Sequence, residues 1–252
     1  MKVAVFANSH VAMLKHATDE KTPEGWMPTY FAAPAKRMEG LRPVGNSSRL
    51  KPKDEYLRKY ISMTSGGLDE LDLKDYDAFV LVGLTAKLQT AIRIFQKFQP
   101  LAHRVSDDVR LISEAAFMQA LHDAFSITNA AQYLKMLSKT GRPLVFVPAP
   151  LPSESLMWTE GHEWIATAEG KEALSWLKEL SVQVWFEQAQ KYDANLVLQP
   201  VDTIGVSGLT LDSFAEAAPK MQDGENFTED NTSHMNAEFG GKIVGLISQN
   251  LK

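Results

Sequence analysis

Four short runs, Val3–Phe6, Phe79–Val82, Leu144–Val147 and Leu196–Leu198, are apolar at every position rather than at every second one. Continuous burial of that kind is what a strand needs when both faces of its sheet are covered, so the runs predict a largely parallel sheet between helices. Thr29–Ala32, bounded by Pro28 and Pro34, supplies a fifth strand. Between the runs the period lengthens. Over Ala168–Tyr192, Ala173, Leu174, Leu177, Leu180, Val184, Trp185 and Ala189 recur at three and four residues, with Lys178, Glu179, Gln183 and Glu187 opposite, which predicts one long amphipathic helix. Trp176, Trp185 and Phe186 lie on or beside that stripe and are expected in the core. Further helices are expected over Val11–Thr18, Ala86–Phe98, Ser106–Leu137 with a break near Ser126–Thr128, and Ala237–Gln249; Ser106, Asp107 and Asp108 offer caps for the third.

Strands alternating with helices predict a three-layer α/β/α sandwich with a mainly parallel five-stranded sheet. The stretch Lys36–Leu68 interrupts the pattern with Gly40, Pro43, Gly45, Asn46, Pro52, Gly66 and Gly67. It reads as a long excursion holding a hairpin and a short helix around Glu55–Tyr60, and excursions of this size often wall a pocket. No repeat or linker divides the 252 residues, so a single domain, 1–252, is expected.

Composition then removes whole classes of function. A formal net charge of -5 provides no overall positive field for phosphate backbones or anionic lipid, which disfavours nucleic acid and membrane surfaces. The absence of cysteine removes disulfide scaffolds, thiolate metal sites and thiol nucleophiles, leaving oxygen and nitrogen chemistry. No window approaches the ~20 apolar residues of a membrane span, and the opening MKVAVFANSH is too short an apolar run for a signal peptide. A cytoplasmic location is therefore expected, with the glycosylation sequons at Asn226 and Asn231 as accidental matches.

Candidate chemistry sits near the two ends. Ser9, in Ala7-Asn8-Ser9-His10, follows the first strand, where open parallel sheets bind ligands; a serine there either caps the next helix or faces a ligand. Glu229-Asp230-Asn231-Thr232-Ser233-His234-Met235-Asn236 places a carboxylate shortly before a histidine in the loop preceding the last helix, a local way to build an oriented base. Other candidates fail on spacing. His162-Glu163 lacks the second histidine of a helical zinc site, and Gly205-Val206-Ser207-Gly208 lacks the Gly-Lys-Ser/Thr of a phosphate loop. Trp158, His162 and Trp164 either pack or line a pocket.

Taken together, Ala7-Asn8-Ser9-His10 and the C-terminal Asp-x-x-x-His-x-Asn followed by Phe239-Gly240 resemble the first and last blocks of the SGNH/GDSL hydrolase superfamily. Asp75-Tyr76-Asp77-Ala78-Phe79-Val80-Leu81-Val82-Gly83 is similar to its third-strand region, and Pro148-Ala149-Pro150 and Gln199-Pro200 to its post-strand loops. The resemblance implies a flavodoxin-like α/β/α fold and a serine esterase with Ser9 as nucleophile, His234 as base and Asp230 as its acid. The Ser9 and Gly83 N–H groups would then hold the oxyanion, and Asn8, His10 and Thr85 would contact substrate. Departures are specific. Asn231 occupies the position three before the histidine, which would leave a Ser–His dyad if it orients the ring; Ala7-Asn8 replaces Gly-Asp; and Gly83-Leu84-Thr85 lacks the oxyanion asparagine. The implied reaction removes a small acyl group, such as acetyl, from a sugar or other polar alcohol, with no metal or organic cofactor. An O-acyltransferase using the same residues and a silent carbohydrate- or protein-binding domain are the alternatives.

Overall fold

Five parallel strands run through the middle of the computed structural model, which describes residues 1–221, 225–228 and 231–251. In chain order the elements are β1 (Lys2–Ala7), α1 (Val11–Glu20), β2 (Met27–Ala32), β3 (Leu41–Pro43), β4 (Arg49–Pro52), α2 (Glu55–Ser65), β5 (Leu71–Asp72) and β6 (Ala78–Val82). They continue with α3 (Leu88–Phe95), β7 (Phe98–Pro100), β8 (Arg110–Ile112), α4 (Glu114–Ser126), α5 (Asn129–Leu137), β9 (Leu144–Val147), α6 (Ala168–Lys191), β10 (Asn195–Leu196) and α7 (Ala237–Asn250). The sheet order is β10-β9-β6-β1-β2, the doubly wound arrangement of flavodoxin-like proteins, and every pair in it is parallel. The winding reverses between β1 and β6, because the chain leaves β1 toward β2 and returns past it. That reversal opens a crevice at the carboxyl ends of those two strands.

Strand residues divide by parity between two cores. Val3, Val5 and Ala7 of β1 join Val11, Met13 and Leu14 of α1 and Phe239, Ile243 and Ile247 of α7. Ala4 and Phe6 face the opposite layer with Leu57 and Ile61 of α2, Tyr133 and Leu134 of α5, and Leu174 and Leu177 of α6. Within the first layer α1 and α7 approach closely, because Gly240 lies against the Met13 carbonyl: a Cβ at Gly240 would stand 2.1 Å from that oxygen. The helices that follow Ser9 and His234 are thereby packed backbone to backbone.

The excursion holds the expected hairpin, β3 with β4, and the helix α2, capped by Asp54 and ended by Gly66 at φ 79. It does form a pocket wall, lining a cleft of about 1210 Å³ with Tyr133, Lys139 and Arg142. That cleft lies beside residues that precede β6 and β9, such as Leu73 and Arg142, at the sheet end away from the crevice.

Several boundaries differ from expectation for identifiable reasons. α4 starts after Ser113, whose hydroxyl accepts from Ala116 N, because the Ser106 and Asp107 carbonyls and the Asp107 carboxylate are engaged by Arg104 and β8 then pairs with β7. The break before α5 is real, with Thr128 capping Ala131 N. β10 stops at Leu196, since Gln199 cross-links the loops instead, accepting from Leu151 N and donating to Thr210 Oγ1. Trp185 is buried and Trp176 packs on Phe95 and Phe117, but Phe186 is half exposed and lies off the stripe.

Candidate active site

β1 ends at Ala7, and the turn Asn8-Ser9-His10 is closed by Val11 N donating to Asn8 O at 3.0 Å and Ala12 N donating to Ser9 O at 3.3 Å. Ser9 does not cap α1, which has no side-chain cap. Its Oγ lies 2.9 Å from Nε2 of His234, a residue 225 positions away in the chain. The half-exposed Ser9 stands at the β1–β6 crevice, where a ligand can reach it.

His234 is held by its own loop. Asn231 Oδ1 accepts from the backbone N–H groups of Ser233 and His234 at 3.2 and 3.0 Å and lies 3.1 Å from His234 Nδ1, while Asn231 Nδ2 donates to His234 O at 2.8 Å. Those backbone donors identify the atom facing the ring as oxygen, so the Nδ1 proton must point at it and Nε2 is left as the acceptor for the Ser9 hydroxyl. The loop is fixed in turn. Ser153 N donates to Thr232 O, Asn236 caps α7 through Phe239 N, and Asn236 Nδ2 donates to Ser213 O and Glu216 O.

Two rings pack against the imidazole. Phe227 stacks on it at 3.8 Å with an interplanar angle of 10°, and His10 sits 5.3 Å away at 35°. Burial, aided by the nearby Lys87 ammonium, lowers the His234 pKa from 6.5 to about 4. Burial, with His234 and Lys87 as neighbours, lowers that of His10 to about 3. Lys87 itself is held below the usual ammonium range by burial and by Arg93. Both imidazoles are therefore neutral at ordinary pH, which a proton acceptor requires.

The remaining expectations divide. Gly83 was the second expected oxyanion donor, but its N–H donates to Val147 O at 2.9 Å and is taken up by the sheet. Its contribution is space: a Cβ there would meet Asn8 Oδ1 and His10 Cδ2, each at 2.7 Å. Gly83, Leu84 and Thr85 all have positive φ, 69, 47 and 69, a left-handed run that is costly at the buried Leu84. The Thr85 hydroxyl is not free for substrate, since it donates to Leu84 O and accepts from Asn129 N. Asn8 and His10 do reach the site, and the Ser9 N–H makes no hydrogen bond among the described residues. Asp230 lies outside the described residues. Among the described residues no three His, Asp or Glu side chains gather as a metal site would need.

Trp158 is exposed, His162 bonds Thr159 Oγ1, and Trp164 packs on Phe95, so the loop after β9 brings none of the three to Ser9. Phe227 and Lys87 escaped the sequence reading. Phe227 stands in a stretch with no periodic signal, and a lysine at a helix start is ordinarily solvated. An apolar cavity of about 200 Å³ lies past the ends of β9 and β10, lined by Met13, Leu88, Val147, Leu151, Trp185 and Phe239 among others.

No protein-family model matches the chain, and no curated protein is significantly similar to it in sequence. Solved structures align with it over nearly its whole length at low identity. An extracellular lipase from Streptomyces rimosus aligns at 9% identity over 99% of this chain and 100% of that one, with a TM-score of 0.48. A GDSL-like lipase from Bacteroides thetaiotaomicron aligns at 11% identity over 99% and 87%, with a TM-score of 0.39. The periplasmic domain of a lipopolysaccharide acetyltransferase from Salmonella Paratyphi A aligns at 10% identity over 98% and 82%, with a TM-score of 0.41.

Proposed function

We propose that the protein is a serine esterase of SGNH type that removes a small O-acyl group from a sugar or other polar alcohol through an acyl-enzyme. The observation that supports this reading is the Asn231–His234–Ser9 chain, with separations of 3.1 and 2.9 Å and a tautomer that leaves Nε2 facing the hydroxyl. Ser9 Oγ attacks the ester carbonyl as His234 Nε2 takes its proton; the imidazolium then protonates the departing alcohol oxygen. Water, deprotonated by the same nitrogen, attacks the acyl-serine and releases the acid. The Ser9 N–H is one donor to the oxyanion. Asn231 fixes the tautomer without supplying the negative charge that would stabilise an imidazolium, so this base works as a Ser–His dyad.

Ser9→Ala is expected to abolish p-nitrophenyl acetate turnover, and a phosphonofluoridate is expected to add one mass increment at Ser9. Unchanged turnover in the variant removes the proposal. An unlabelled Ser9 in a folded protein favours a silent binding domain, a reading to which the neutral Asn231 also lends weight. A longer acyl chain is a second reading, favoured by the apolar cavity whose lining includes Met13, one helical turn past Ser9. Relative kcat/KM on acetyl, butyryl and octanoyl esters separates the two.

A further inference from the structure

One buried titratable group at the site has no role in the dyad. His10 is 8% exposed and its Nδ1 is buried without a hydrogen-bond partner. Nε2 has no partner among the described residues either, but it is not among the sealed atoms, so it is the nitrogen that opens toward the crevice. A buried N–H left unbonded is costlier than an unbonded lone pair, which puts the single ring proton on Nε2. The neutral ring therefore offers a donor and no charge.

The position of that donor is set by the turn after β6. His10 Cδ2, the carbon bonded to Nε2, lies over Gly83, close enough that only a glycine fits beneath it. His10 N is directed by Asn8 Oδ1 at 3.4 Å, and the ring lies 5.3 Å from that of His234, whose Nε2 touches Ser9 Oγ. The nucleophile, its base and this edge consequently border one space. The turn after β6 offers that space neither of its own donors, because the Gly83 N–H is bonded to Val147 O and the Thr85 hydroxyl to Leu84 O.

We propose that His10 donates its Nε2–H to the oxyanion, serving as the side-chain donor that the Gly83-Leu84-Thr85 turn lacks. The inference rests on the acyl-transfer reading and adds a catalytic residue to it. No proton is transferred: the N–H strengthens its hydrogen bond as negative charge forms on the carbonyl oxygen and relaxes when the carbonyl reforms.

His10→Phe keeps a ring and removes the donor, whereas His10→Gln keeps an N–H at similar reach. With p-nitrophenyl acetate, His10→Phe is expected to lower kcat by about 10²–10³ with little change in KM, the loss typical of one oxyanion donor. An alkyl trifluoromethyl ketone, whose serine adduct carries the tetrahedral oxyanion, is expected to bind His10→Phe more weakly by a similar factor. His10→Gln, compared at equal thermal stability, recovers at least about tenfold of both quantities, which a purely packing role does not allow. The assignment is overturned if His10→Phe keeps its kcat, or if Gln and Phe lose equally. Ser9→Ala run in parallel separates the failures: full activity there removes the acyl-transfer reading itself, whereas an inactive Ser9→Ala beside an unimpaired His10→Phe removes only the donor.

Discussion

The two ends of the central sheet hold polar groups in opposite ways. At the amino ends of β6 and β9 lies a cleft of about 1210 Å³, bordered by Arg42, Arg49, Lys74, Lys135, Lys139 and Arg142 against Glu39 and Asp72. Its charges are mostly solvated, and ion pairs such as Arg49–Glu70 at 3.6 Å and Lys51–Glu70 at 2.6 Å are exposed. At the carboxyl ends, the crevice brings together two neutral imidazoles, an amide and a hydroxyl, each placed by a named neighbour. The roomier cleft is therefore not the one the proposed reading uses. Desolvated groups with fixed tautomers can exchange protons on demand, while exposed ion pairs are screened and contribute little.

The sharpest test of that contrast is to remove the base. His234→Ala is expected to lower kcat by roughly 10³-fold or more, as loss of a triad member does elsewhere, whereas Lys139→Ala in the large cleft leaves esterase activity unchanged. Equal losses in both would dissolve the distinction between the two ends. Next in size is Asn231→Leu, which removes the acceptor that sets the His234 tautomer. A loss of about 10² in kcat is expected, since a wrongly placed proton blocks Nε2. Asn231→Asp supplies an anion instead and moves the acid limb of kcat/KM upward.

Smaller effects come from the helix pair. Gly240→Val forces a side chain into the Met13 carbonyl and is expected to cost roughly 1–3 kcal/mol in urea unfolding, with a drop in kcat as Ser9 and His234 separate. Gly241→Ala, whose Cβ meets nothing within 4 Å, is the matched control and is neutral or slightly stabilising.

The pH dependence follows from the same burial. The acid limb of kcat/KM is expected at about 4, the His234 value, and Lys87→Met raises it by removing a nearby positive charge. Stability has the same sign. Both imidazoles titrate lower in the folded chain, so their contribution is complete above 6.5 and is lost as pH falls toward about 4 for His234 and about 3 for His10, where the unfolded chain takes up the protons. Urea midpoints followed through that window, with a His10→Phe/His234→Phe double variant as the flattened reference, check it. The smallest effect belongs to the amino end. Glu70→Gln removes the partner of Lys51 and Arg49 and leaves Tm almost unmoved, because exposed pairs are screened.

The sequence carried the strands of the central sheet and α6 because full burial and helical spacing leave an unbroken record in residue type. Val3–Phe6 and Leu144–Val147 needed no tertiary information. β7 and β8 left no such record: three-residue strands paired with each other, with Leu111 half exposed, have neither alternation nor a continuous apolar run. At the site, Ser9 and His234 were legible through their positions beside a strand end and a helix start. The engagement of the Gly83 N–H by Val147 was not, because hydrogen-bond partners on a neighbouring strand are a property of register. Phe227 was hidden for a similar reason, since stacking on His234 is a tertiary contact that residue type alone does not record.

The hydrogen bond between residues 9 and 234 also joins two segments 225 positions apart in the chain. Under the proposed reading the Ser9 hydroxyl stays inert until α7 has docked on α1, because the imidazole that would activate it comes from the loop before that helix.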